Sequence, residues 1–137
     1  MKEIFSKVEE GKLLHRITCK DDVTPGRTDL ASEKEFLQCA ALNLPYGKTF
    51  RPHKHLYKDG EDKAIAQESW VIIKGKAKIV MYDLDDQVIA EETLNEGDMS
   101  MTFHGGHTYE VLEEGTIVYE FKTGPYYGQK IDKVWLD

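Results

Sequence analysis

Polar and apolar positions alternate along most of this chain in short runs, with turn residues between them. In Lys76-Ala77-Lys78-Ile79-Val80-Met81 the small and apolar Ala77, Ile79 and Met81 fall on one face of an extended strand, because successive side chains point to opposite sides. Strands are predicted in this way over residues 13–18, 37–44, 69–73, 76–82, 87–92, 99–103, 107–112 and 116–121. Gly75, Asp83-Leu84-Asp85-Asp86, Asn95-Glu96-Gly97-Asp98, Gly105-Gly106 and Glu113-Glu114-Gly115 punctuate them. Only residues 32–37 hint at a helical turn. So many short strands at this spacing predict an all-β sandwich or barrel. The run Glu68-Ser69-Trp70-Val71-Ile72-Ile73 is apolar on both faces, which predicts cover on both sides, by a second sheet or by another subunit.

Length and charge narrow the class. At 137 residues the chain is expected to be a single domain with an enclosed core. A net charge of -7, with no basic run, argues against nucleic acid as a partner. The opening Met1-Lys2-Glu3-Ile4-Phe5-Ser6 lacks the apolar core of a signal peptide, and no aliphatic run is long enough for a membrane span. Cys19 and Cys39 have neither Cys-x-x-Cys spacing nor the density of a disulfide scaffold. A soluble, cytoplasmic protein is expected. Cys39, on a predicted strand with no histidine near it in sequence, is expected to act as a small buried hydrophobe.

The chemistry concentrates between Gly47 and His107. His53-Lys54-His55 places two imidazoles on the same face of a strand, Glu68 opens the next strand, and Gly97 to His107 supplies a further imidazole. Three neutral imidazoles and a carboxylate brought together inside a sheet make a site for one divalent first-row metal, whether manganese, iron, nickel, cobalt or zinc. His104 and His107 compete for the third imidazole. His107 is preferred, because it opens an alternating strand with Tyr109 and Val111, while His104 is expected as a ligand-contacting or loop residue. Trp70 is expected to line the barrel, where aromatic rings also suit a sugar. Glu120 and Lys122 share one face of the last long strand, and Arg51 points with the imidazoles if its strand is regular. Tyr109 and Glu120 are the candidate proton-transferring residues. No Gly-x-Ser-x-Gly elbow, phosphate-binding glycine loop or His-Glu-x-x-His occurs.

These residues resemble the motifs of the cupin superfamily. Gly47, His53, His55, Glu68 and Gly75 match its first motif at every spacing but one, since residues 56–67 form a longer link than the family keeps. Gly97 and Gly105 fit the second motif, with Phe103 in place of its proline, His107 one residue early and its asparagine absent. Phe103-His104-Gly105-Gly106-His107, Glu120 to Tyr126, Gly128 and Asp132-Lys133 are also similar to small cupins of bacterial surface-polysaccharide gene clusters. The resemblance implies an antiparallel jelly-roll barrel, usually dimeric, with the metal inside. It places the barrel at about residues 37–123, N-terminal strands in 1–36 and a C-terminal tail in 124–137. The implied function is metal-dependent action on a small sugar or polysaccharide precursor, such as isomerisation or epimerisation. The alternatives are a non-catalytic carbohydrate- or metabolite-binding protein, an iron-dependent dioxygenase, and an isomerase with a histidine base and no metal. The segment 56–67, with a charged turn at 58–63, is expected either to cover the cavity mouth or merely to extend a hairpin.

Overall fold

The computed structural model describes residues 1–57 and 65–136. Twelve strands dominate: β1 (Lys2–Phe5), β2 (Leu13–Ile17), β3 (Gly26–Asp29), β4 (Leu37–Leu44), β5 (His53–His55), β6 (Glu68–Lys74), β7 (Lys76–Tyr82), β8 (Val88–Asn95), β9 (Met99–Thr102), β10 (Gly106–Val111), β11 (Thr116–Thr123) and β12 (Lys133–Trp135). Among the described residues the helical segments are a 3-10 turn at Lys20–Asp22 and the single-turn α1 (Gln129–Asp132). All strand pairs are antiparallel. One sheet has the order β12-β5-β10-β7-β8 and the other β3-β4-β11-β6-β9, while β1 and β2 form a separate hairpin. This is the expected antiparallel jelly-roll barrel. Among the described residues no helix is long and apolar enough to cross a membrane.

The expected strands form with shifts of a few residues at their ends. One expectation is corrected. Residues 32–37 make a turn closed by the Glu35 amide on the Ser32 carbonyl, and β4 begins at Leu37. The segment expected as a C-terminal tail carries a strand at residues 133–135, where β12 pairs with β5 and so completes one sheet at the strand that carries two imidazoles. Three residues are too few for alternation to announce a strand.

The barrel interior is graded from polar to apolar along each strand. Inward positions run His107, Tyr109, Val111 on β10, Glu68, Trp70, Ile72 on β6, and Lys122, Glu120, Val118 on β11. The apolar end is packed by Leu42, Leu44, Ile72, Ala77, Ile79, Val111 and Val118, all buried. Burial of this kind supplies about 25 cal/mol per Å² of apolar surface, and it closes one end of the barrel. Trp70 and Tyr109 join the two sheets at mid-height, their rings parallel with centroids 3.8 Å apart, and Phe50 meets Trp70 edge-on. Outward positions of β6 are less buried: Val71 and Ile73 are half-covered, and the neighbouring Met99 and Met101 on the edge strand β9 are exposed.

Two glycines hold the site's frame. Gly75 links β6 to β7 at φ +86°, and a Cβ there would lie 2.4 Å from Thr116 Oγ1. Gly106, next to His107, is crossed so closely that a Cβ would lie 2.5 Å from Leu136 Cδ1 and 3.1 Å from the His53 carbonyl.

Candidate metal centre

The polar end of the barrel brings together His53 and His55 from β5, Glu68 from β6 and His107 from β10, all buried. Strand alternation explains the set. His53 and His55 are two apart on β5, and His53 stands directly across from His107 in the β5–β10 pairing. Glu68 enters from the opposite sheet, so the four donors close the gap between the two layers.

Their ligating atoms converge. His107 Nε2 lies 3.3 Å from His53 Nε2 and 3.4 Å from Glu68 Oε1, and His55 Nε2 lies 3.1 Å from Glu68 Oε2. All four donors fit within 4.8 Å of one another. A metal about 2.0–2.2 Å from nitrogen and carboxylate oxygen puts neighbouring donors about 3.0–3.5 Å apart, so the residues fit a single ion. The far nitrogen of each ring is anchored as well. His53 Nδ1 donates to the Arg51 carbonyl at 3.1 Å, which leaves Nε2 of the neutral ring as a lone pair. His55 Nδ1 faces Asp132 Oδ2 at 3.1 Å, and His107 Nδ1 faces Thr102 Oγ1 at 2.8 Å. Such outer partners fix the tautomer and aim of a metal-binding imidazole.

The electrostatics favour neutral rings at His53 and His107 beside a charged Glu68 carboxylate, while His55 is biased the other way. Burial, with help from the Lys133 ammonium, pushes the His53 pKa down to about 3, and burial also lowers His107. Burial opposes charge on His55, yet its contacts with Asp132 and Glu68 carry it above the usual histidine value. Burial opposes charge on Glu68 too, and the His55 hydrogen bond with the surrounding imidazoles holds it well below the usual carboxylate range. Asp132 is held at about 2, because His55 and Lys122 outweigh its burial. Its Oδ1 is buried with no hydrogen-bond partner among the described residues.

A cavity of about 340 Å³ reaches this cluster through His53 and Glu68. Arg51, Trp70, Tyr109, Glu120 and Lys122 all line it. Arg51 precedes the start of β5 and sits at the rim, its guanidinium 5.1 Å from the Trp135 ring centre. Glu120 is pinned, with Oε1 accepting from Arg27 Nη1 at 2.8 Å and Oε2 from Trp70 Nε1 at 2.9 Å. The Tyr109 hydroxyl lies 2.9 Å from Ser100 Oγ, and burial raises its pKa. His104 is not brought into this group. It is exposed in the turn before β10 and lines no part of the cavity. Cys39 is half-buried on the cavity wall, and burial pushes its thiol up to about 11. The expected turn over residues 58–63 lies outside the described residues.

Sequence reasoning missed Arg27, Asp132, Lys133 and Trp135. Arg27 lies on the short β3, which has no apolar alternation to mark it. The other three arrive with α1 and β12. The Asp132-Lys133 pair was visible only through its similarity to the polysaccharide-cluster cupins.

Comparison with solved structures places the architecture. The chain matches an uncharacterized conserved protein with a double-stranded β-helix domain from Klebsiella pneumoniae over 90% of this chain and 99% of that one, with a TM-score of 0.65 at 17% identity. It has the cupin fold. The capsular polysaccharide assembling protein CapF from Staphylococcus aureus matches 81% of the chain with a TM-score of 0.65 at 16% identity, although this cupin-fold chain spans only 30% of CapF. KdgF from Halomonas sp. matches 71% of the chain and 76% of its own, with a TM-score of 0.55 at 15% identity. No protein-family profile and no curated protein sequence matches the chain.

Proposed function

We propose that this protein is a metal-dependent enzyme acting on a small sugar or sugar derivative, in the manner of an isomerase or epimerase. The observation that carries the reading is the convergence of His53, His55, Glu68 and His107, each ring anchored at its far nitrogen, at the inner end of a cavity. Bound there, a divalent ion supplies Lewis-acid polarisation of a carbonyl or hydroxyl oxygen. The protein's own groups bind and orient. Trp70, Phe50 and Trp135 offer aromatic walls to a sugar ring, and the fixed Glu120 carboxylate offers acceptors to its hydroxyls. The Tyr109 hydroxyl, kept protonated by burial, can donate a hydrogen bond into the cavity. The likeness to the capsular polysaccharide assembling protein CapF supports a carbohydrate-related role.

A second reading, a carbohydrate-binding protein without turnover, is favoured by one observation. Both oxygens of Glu120 are already engaged, so it is poorly placed to move a proton. Plasma mass spectrometry of freshly purified protein is expected to find one equivalent of a first-row metal. Incubation with aldoses, ketoses and nucleotide sugars, followed by proton NMR for exchange at the carbon beside the carbonyl, then separates the two. Metal-dependent exchange supports the enzyme, and saturable binding without exchange supports the binding protein. A metal-free preparation that exchanges equally well would remove the metal from both readings.

The same reading includes a homodimer. The β1–β2 hairpin leaves Ile4, Phe5, Leu13, Leu14 and Ile17 exposed, and an isolated two-stranded hairpin is marginal in water. A second copy covering this hairpin, or the apolar outer side of β9, accounts for both. Light scattering at micromolar concentration should give twice the chain mass; a monomer mass would contradict the dimer.

A further inference from the structure

The C-terminal strand β12 brings to the metal cluster a cation that the cluster does not need for its own construction. In the β5–β12 pairing Lys133 stands directly across from His55 and Trp135 across from His53. In the β6–β11 pairing Lys122 stands directly across from Glu68. Partners directly across a ladder share a face, so both ammonium groups enter on the ligand side. Lys133 Nζ lies 3.4 Å from His53 Nε2, and Lys122 Nζ lies 3.4 Å from Asp132 Oδ2. Both lysines line the cavity.

Charge bookkeeping then matters, on the metal-binding reading above. His53 Nε2 is the atom a metal takes, so a bound dication removes that acceptor from Lys133 and faces it with a like charge. Glu68 and Asp132 offset the two ammonium groups, and the dication's own charge is left uncompensated. Arg27 is outnumbered by Glu120 and Asp29, at 2.8 Å each, and their one excess negative charge reduces the surplus to a single positive charge. A largely buried site with surplus positive charge is completed by an anionic ligand.

The geometry points to a small polyhydroxy carboxylate, a sugar acid or hydroxy acid, as the ligand, its carboxylate seated beside the metal position against Lys133 and Lys122. The rest of the wall selects carboxylate over phosphate. Asp29, Glu33 and Glu120 also line the cavity, where they accept from hydroxyl groups but repel a dianion. The volume of about 340 Å³ lies near the small end of ligand cavities and suits a single such molecule. Lys133 is thus a specificity residue, reading the acid group.

Gluconate, glucitol and glucitol 6-phosphate test this, since they share one polyol chain and differ at its end. By titration calorimetry of the manganese-loaded protein, gluconate should bind at least tenfold tighter than either of the others. Lys133→Met should weaken gluconate at least tenfold, leave glucitol unchanged and keep the metal content, while Lys133→Arg restores part of the preference. Equal binding of gluconate and glucitol, no binding of gluconate, tightest binding of the phosphate, or a preference that survives Lys133→Met each overturns the proposal. Metal content measured on the same samples tests the metal reading separately. A Lys133-dependent preference that persists in chelator-treated protein supports the proposal even if no metal is found.

Discussion

Replacing both His53 and His55 with Ala should reduce bound metal from one equivalent per chain to less than about a tenth, with the barrel still folded by circular dichroism. The two rings supply half of the four donors, and the remaining Glu68 and His107 are too few to hold a first-row ion tightly. Single changes should grade in the order of contact. His107→Ala should cost far more metal than His104→Ala, because His107 is buried in the cluster and His104 is an exposed turn residue. Asp132→Asn should weaken metal affinity by about 10–100-fold, as loss of an outer partner of a ligating imidazole does. Stoichiometric metal in the double variant would end the assignment, and a larger loss from His104→Ala would mean the wrong imidazole had been chosen.

The largest stability effect is expected at Trp70. Its ring is buried, lies flat on Tyr109, meets Phe50 edge-on and donates to Glu120. Trp70→Ala opens a cavity where the two sheets are bridged and leaves a buried carboxylate oxygen without its donor. Such a change costs about 3–5 kcal/mol. Trp70→Phe keeps one ring against Tyr109 but loses the indole N–H and some buried volume, a smaller cost of about 1–3 kcal/mol. Urea denaturation of metal-free protein measures both. A loss below about 1 kcal/mol for Trp70→Ala would show that the Trp70–Tyr109 stack is not what joins the layers at this height.

Both experiments probe features that differ in how far the chain alone reveals them. Alternation in residues 76–82 announced a strand with Ala77 and Ile79 inward, and both are buried there. The same rule placed the rings of His53 and His55 on one side of β5. These are local consequences of the two-residue period, so they follow from neighbours in sequence. The start of the alternating run at His107 likewise separated it from His104, although two glycines blurred the boundary.

What only the tertiary structure decided lies across strands. Nothing local to Asp132, Lys133 or Trp135 says that the last residues return to β5, because a three-residue strand is specified by the edge it completes. Nor does Arg27 disclose its partner Glu120, 93 residues away. Glu120 read as a candidate proton-transferring residue from its place on a strand, and its hydrogen bonds to Arg27 and Trp70 come only from the fold. The sequence by itself determined the all-β class, the inward faces and the four candidate ligands, since each depends on alternation and on residue types that burial penalises unless they are used together. The anchors behind those ligands and the lysines beside them depend on which strands become neighbours. That choice is made by closure of the whole barrel, which no short stretch of chain encodes.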